Sequence, residues 1–188
     1  MKQDITQALV DEHQLILRML AVLEHNALRT ARGEYANYGF YLDAVDFIRN
    51  YADRFHHAKE EDILFEALVA NGMPRANSPV AAMLMEHDQG RAFVRAMEEA
   101  ATAALAGTPG QDAIIAENAL GYLELLKEHI GKEDGILYPL AERLIPEGMR
   151  SAIVAGYRAA EGKTPVDFTE RYLKTVERYE AEVLDCAA

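Results

Sequence analysis

Histidine and glutamate recur along the chain in two matched sets. Glu12-His13 is followed 43 residues later by His56-x-x-x-Glu60, and Glu86-His87 is followed 42 residues later by His129-x-x-x-Glu133. The stretch after each glutamate repeats too: Glu60-Glu61-Asp62-Ile63-Leu64-Phe65 lies 73 residues ahead of Glu133-Asp134-Gly135-Ile136-Leu137-Tyr138. Four imidazoles and two carboxylates in one repeated order make a donor set for a pair of metal ions. A lone histidine on an apolar stripe is usually a hydrogen-bonded core residue, and a lone His-x-x-x-Glu is usually a surface pair. The conjunction reads differently, because carboxylates turned into a protein interior are costly unless a cation compensates them.

Donor type narrows the metal. Imidazole and carboxylate without sulfur suit iron, manganese or zinc rather than copper(I) or calcium. The only cysteine, Cys186, stands third from the end, so neither an intramolecular disulfide nor a thiolate site can be built. With two carboxylates for four imidazoles, bridging is expected: Glu60 and Glu133 span both ions, His13 and His56 hold one, and His87 and His129 hold the other. Each ion then keeps open positions for water, an oxo or hydroxo bridge, dioxygen or nitric oxide.

The elements that must position these groups are helices, since helical periodicity dominates and strand alternation is nearly absent. The spacing predicts a first helix from about Ile5 to Arg29, capped by Asp4 and ended by Gly33, and a second from about Gly39 to Ala70, stopped by Asn71-Gly72-Met73-Pro74. A third is predicted from about Val80 to Ala106, broken by Gly107-Thr108-Pro109-Gly110, and a fourth from about Asp112 to Leu144, with Pro139 kinking or unwinding it near its end. His13, His56, His87 and His129 each lie on the apolar stripe of their helix. Long helices on short loops favour antiparallel neighbours, hence an all-α, up-down-up-down four-helix bundle. In that topology His13 and His56 climb roughly 30 and 26 Å from their shared loop, at ~1.5 Å per residue. His87 and His129 climb almost equally from theirs, so all four rings meet in one layer, with each glutamate one turn from its histidine on the same face.

A chain of 188 residues, half of them apolar and 27% charged, is one globular domain with an appendage. A formal charge of −12 disfavours nucleic acid and anionic membranes as partners and suits cation uptake. The start Met1-Lys2-Gln3-Asp4 lacks the flanks of a signal peptide and no apolar run approaches a membrane span, so a cytoplasmic protein is expected.

His13, the run His56-His57-Ala58-Lys59-Glu60-Glu61-Asp62-Ile63-Leu64-Phe65, then Glu86-His87-Asp88, then His129-Ile130-Gly131-Lys132-Glu133-Asp134-Gly135-Ile136-Leu137-Tyr138-Pro139 closely resemble the hemerythrin-like HHE cation-binding domain. The resemblance covers roughly residues 5–145. It implies a four-helix bundle with a non-haem di-iron centre, two Fe ions bridged by two carboxylates and an oxo or hydroxo oxygen, with Mn or Zn as substitutes. It also implies a response to dioxygen, nitric oxide or peroxide. Residues 1–145 are therefore expected to be the metal-binding bundle. The oxygen carriers resemble a pattern with a further histidine one turn before His87, where this chain has Met83. That leaves an additional open position, or room for Glu61, Glu86 or a tyrosine, and favours the broader HHE group over simple reversible oxygen carriage.

His57 follows His56 by one residue and so points about 100° away in an α-helix, a position beside or outside the centre; His57 with Glu61 is the alternative set, one residue along. His25 lies about 18 Å along its helix from His13, out of reach. Gly90, one turn past His87, leaves room for a small ligand or for close helix packing. Residues 146–188 read as a helical connector and a fifth long helix carrying Phe168, Tyr172, Val176, Tyr179 and Val183 at helical spacing, a stripe that covers the bundle or pairs with a second subunit as a homodimer. Three function classes are open: a binding or oxidative-stress protein, a di-iron enzyme of peroxide decomposition or iron oxidation, and an iron-sensing interaction module.

Overall fold

The computed structural model describes residues 2–187, with the side chains of Cys186 and Ala187 outside that description. Among the described residues there is no strand, and the chain forms six helical rods. Rod α1 spans Gln7–Ala31. Rod α2 is continuous over residues 38–70: Tyr38–Phe47 is α-helical, Ile48–His57 and Glu60–Leu64 are π-helical, and Phe65–Ala70 is α-helical again. Rod α3 spans Pro79–Leu105. Rod α4 covers residues 111–144 as Gln111–Lys132, a π-helical turn at Glu133–Leu137, and Tyr138–Leu144. Rods α5 and α6 are Glu147–Glu161 and Phe168–Ala187.

The helix ends follow local chemistry. Asp4 Oδ1 accepts from the backbone N–H of Thr6 at 2.9 Å and of Gln7 at 2.7 Å, which satisfies the first free amides of α1. Beyond its last turn, Gly33 takes φ +70°, a left-handed conformation that stops the helix. Ser78 Oγ accepts from Ala81 N–H, and Pro79 follows as the first helical residue of α3.

Cross-helix pairs fix the topology. His13 meets His56, Glu12 meets Lys59 and Thr30 meets Tyr41, so α1 and α2 run in opposite directions. Arg49 pairs with Glu98 and His87 with Glu61, Lys127 with Glu24 and His13 with Asp134; α2–α3 and α1–α4 are antiparallel by the same reasoning. The interior has two apolar clusters. One, around Met19, Leu23, Phe40, Phe47 and Met97, fills the bundle toward the loops after α1 and α3. The other, around Ile5, Leu9, Phe65, Met83 and Ile145, fills the opposite end. The histidines and glutamates lie between them, in a polar layer sealed above and below.

Rods α5 and α6 lie against this bundle. Ile153 and Tyr157 of α5 join the second apolar cluster. Phe168, Tyr172, Val176 and Tyr179 of α6 are buried in the first, and Arg18–Glu180 and Tyr179–Asp43 ties hold α6 across α1 and α2. No helix among the described residues is long and apolar enough to cross a membrane.

Candidate metal centre

The stripe positions of α1 to α4 deliver all six of the expected side chains to one place. His13 and His56 face each other, Nε2 to Nε2, at 2.9 Å, and His87 and His129 do the same at 3.1 Å. Glu60 Oε2 lies 3.8 Å from His56 Nε2 and 3.6 Å from His87 Nε2. Glu133 Oε2 lies 3.4 Å from His13 Nε2 while its Oε1 lies 3.2 Å from His129 Nε2. Each carboxylate thus reaches across from one imidazole pair to the other. Both glutamates are 0% exposed, yet Glu60 Oε2 and both oxygens of Glu133 have no hydrogen-bond partner. Buried carboxylate oxygens left in that state are costly, and a cation between them and the Nε2 atoms supplies the missing compensation. The residues therefore fit a metal pair.

A ring of carboxylates orients the imidazoles from outside. His56 Nδ1 is 2.8 Å from Glu12 and His129 Nδ1 is 2.9 Å from Glu86. His13 Nδ1 is 2.8 Å from Asp134 and His87 Nδ1 is 2.7 Å from Glu61. With Nδ1–H donated outward, each Nε2 lone pair points inward, the arrangement a metal-binding histidine needs. Lysines back two of these carboxylates: Lys59 on Glu12 and Lys132 on Glu86. The repeat extends to this outer layer, because Glu12 and Glu86 are 74 residues apart, and Lys59 and Lys132, like Glu61 and Asp134, are 73 apart. That offset was available to find them. Glu61 and Glu86, for which the gap beside Met83 had left room as ligands, hold the outer nitrogens and do not enter the centre.

Two of the positions at which the halves of the repeat differ lie at the centre. Tyr138 occupies the place of Phe65; its ring stacks on His13 at 5.6 Å, and its hydroxyl donates to Glu60 Oε1 at 2.5 Å. His57 occupies the place of Ile130, and the structure corrects the expectation that it stays beside or outside the centre. It is 6% exposed and stacks on His87 at 3.7 Å. Ligand atoms of His57, Glu60, His87 and His129 lie within 4.8 Å of one another, as do those of His13, His56, Glu60 and Glu133. Glu60 belongs to both groups, and His57 adds a fifth imidazole to the group of His87 and His129. The physical reason is the π-helical run Ile48–His57: its i→i+5 bonding puts more residues in each turn, so His57 turns less far from His56 than the α-helical angle of about 100° allows. His25 belongs to neither group.

Burial and mutual contact polarise the protein's own ionisation. Burial and the neighbouring Glu133 push the Glu60 carboxyl well above its usual range. Glu133 is held well below its usual range, since His129 and His13 outweigh its burial. His13 resists the effect of burial and is raised to about 9 by Asp134 and Glu133. His57 is pushed down to about 3, by burial and then by His87, and stays neutral. Burial raises Glu12 to about 7 even beside Lys59.

The model of the hemerythrin HHE cation binding domain matches residues 4–141. Neither a curated protein nor a solved structure matches the chain.

Proposed function

The chain belongs to the hemerythrin HHE cation-binding family, and from that premise we propose that it is a non-haem di-iron protein whose carboxylate-bridged centre binds or responds to dioxygen, nitric oxide or peroxide. The observation that carries this reading is the pair of fully buried glutamates, each facing one histidine of either pair. His13 and His56, with Glu60 and Glu133, would hold one ion; His87, His129 and His57, with the same glutamates, would hold the other. Two iron ions there would supply a redox-active pair with open positions for small oxygen- and nitrogen-containing ligands.

The chain's own residues set the terms. Glu12, Glu61, Glu86 and Asp134 fix the tautomer and orientation of the four facing imidazoles. Tyr138 keeps one Glu60 oxygen engaged and leaves the other free to face His56 and His87. The apolar clusters above and below close the layer at its two ends.

The test is metal content per chain together with absorption spectra before and after adding dioxygen, nitric oxide or peroxide. Two irons per chain and a ligand-dependent spectrum are expected, and Glu60→Ala is expected to lose both ions together. Loss of neither ion would overturn the bridging assignment. Sustained gas evolution from peroxide would move the protein to the enzyme class, and unfolding on chelation without any ligand response would move it to iron sensing.

A further inference from the structure

The lysines that back the outer carboxylates have different surroundings in the two halves of the repeat. In the second half the Lys132 side chain is 40% exposed, and among the described residues Glu86 is its one carboxylate partner. In the first half the matching lysine, Lys59, is 0% exposed and lies between two carboxylates: Glu12, and Glu161 at the end of α5, which it meets at 3.1 Å. The Lys59 ammonium also sits 3.9 Å from the centre of the Phe55 ring, a position taken by Glu128 in the second half. Glu161 belongs to the C-terminal extension, which the repeat does not include.

Local packing holds Glu161 in place. Gly156 lets α5 lie close against α2, since a Cβ there would come within 3.2 Å of Ile63 Cδ1. Past the end of α5, Thr164 donates its backbone N–H and its hydroxyl to Glu161 O, at 3.0 and 2.7 Å. A line of contacts therefore runs inward from the surface. It passes from Glu161, whose side chain is 38% exposed, to Lys59, then to Glu12 Oε1, and from Glu12 Oε2 to His56 Nδ1 at 2.8 Å.

An ammonium has three protons and no lone pair, so its charge acts on whichever carboxylates it touches. With Glu161 present that charge is divided between two acceptors. Without it Glu12 would face the whole charge and accept less strongly from His56 Nδ1, and the imidazole would be a poorer donor to a cation at Nε2. We propose that Glu161 is a positioning residue for His56, acting through Lys59 and Glu12, so that the C-terminal extension tunes the ion held by His13 and His56 and leaves the other ion to the bundle alone. The proposal rests on the metal-centre reading above and adds a control that reaches one ion of the pair from outside the bundle. It needs a cation in the layer, not iron in particular.

Zinc, which is diamagnetic, is therefore the probe: the full chain is loaded with it, its metal content is measured, and the imidazole N–H protons are followed by proton–nitrogen NMR. Glu161→Gln keeps the shape of the side chain and removes its charge. It is expected to move the His56 Nδ1–H resonance upfield, leave that of His129 in place, and speed release of one of the two ions to a chelator about tenfold, the low end of the effect of an outer hydrogen-bond partner. Lys132→Gln is expected to do the opposite on the other side, moving His129 Nδ1–H downfield and leaving His56 in place. A His56 resonance that stays put in Glu161→Gln, or shifts together with that of His129, would overturn the positioning role and leave the metal centre standing. A wild-type chain that takes up neither zinc nor iron would overturn both, and the metal assay separates the two failures.

Discussion

Each of the four facing imidazoles has its Nδ1 engaged by a carboxylate, so the quality of the centre depends on residues that never enter it. Replacing Glu12 or Glu86 by glutamine is expected to weaken metal retention by about 10–100-fold in a chelator competition, since the amide holds the ring less strongly and can favour the wrong tautomer. His57→Ala is expected to loosen one ion of the pair, seen as two unequal phases of release, while His25→Ala leaves release unchanged. Protons also compete with cations here. His13, raised to about 9, is charged at neutral pH, and burial beside Glu133 shifts Glu60 towards its protonated form. Metal uptake must therefore expel the His13 proton, and the apparent affinity falls as pH is lowered. Titration calorimetry in two buffers of different ionisation enthalpy should show net proton release; an identical heat in both would contradict this ionisation scheme.

The π-helical turns at Glu60–Leu64 and Glu133–Leu137 occupy the same place in the two halves. Pro139 follows the second, but the related position in the first half is Glu66, and the same wide turn forms there without a proline. The turn thus belongs to the glutamate layer and not to the missing amide. Pro139→Ala is expected to retain metal stoichiometry, measured by elemental analysis. This element also marks where the chain was legible and where it was not. The ends of α1 to α4 were readable because Asp4, Gly33, Asn71-Gly72 and Gly107-Thr108-Pro109-Gly110 carry their own stop and start chemistry. The six facing residues were readable because a repeated order at a fixed offset is hard to produce by packing alone. His57 was not, because apolar spacing records which face is buried and says nothing about whether amides bond to the fourth or the fifth carbonyl back.

At the scale of the whole molecule, the polar layer divides the interior into two apolar clusters, and the rods α5 and α6 clasp the outside of both. Tyr172 of α6 is 1% exposed and packs beside Phe47, Tyr51 and Phe168. Tyr172→Ala is expected to cost about 3–5 kcal/mol in denaturant unfolding while leaving metal content intact, because none of the rings it packs against belongs to the centre. Metal loading should act on the entire domain. At a hundredfold excess over the dissociation constant one ion adds about 2.7 kcal/mol, which for a chain of this size raises the melting temperature by roughly 5–10 °C.

The halves of the repeat are interlocked rather than side by side. Glu60 comes from the first half and faces His87 of the second, Glu133 comes from the second and faces His13 of the first, and the outer partners of His13 and His87 are likewise exchanged. Neither hairpin can assemble a complete donor set from its own residues. During translation, a nascent chain that has released only its first two helices holds a fragment of each cradle, so the full donor set must wait for the fourth helix to leave the ribosome.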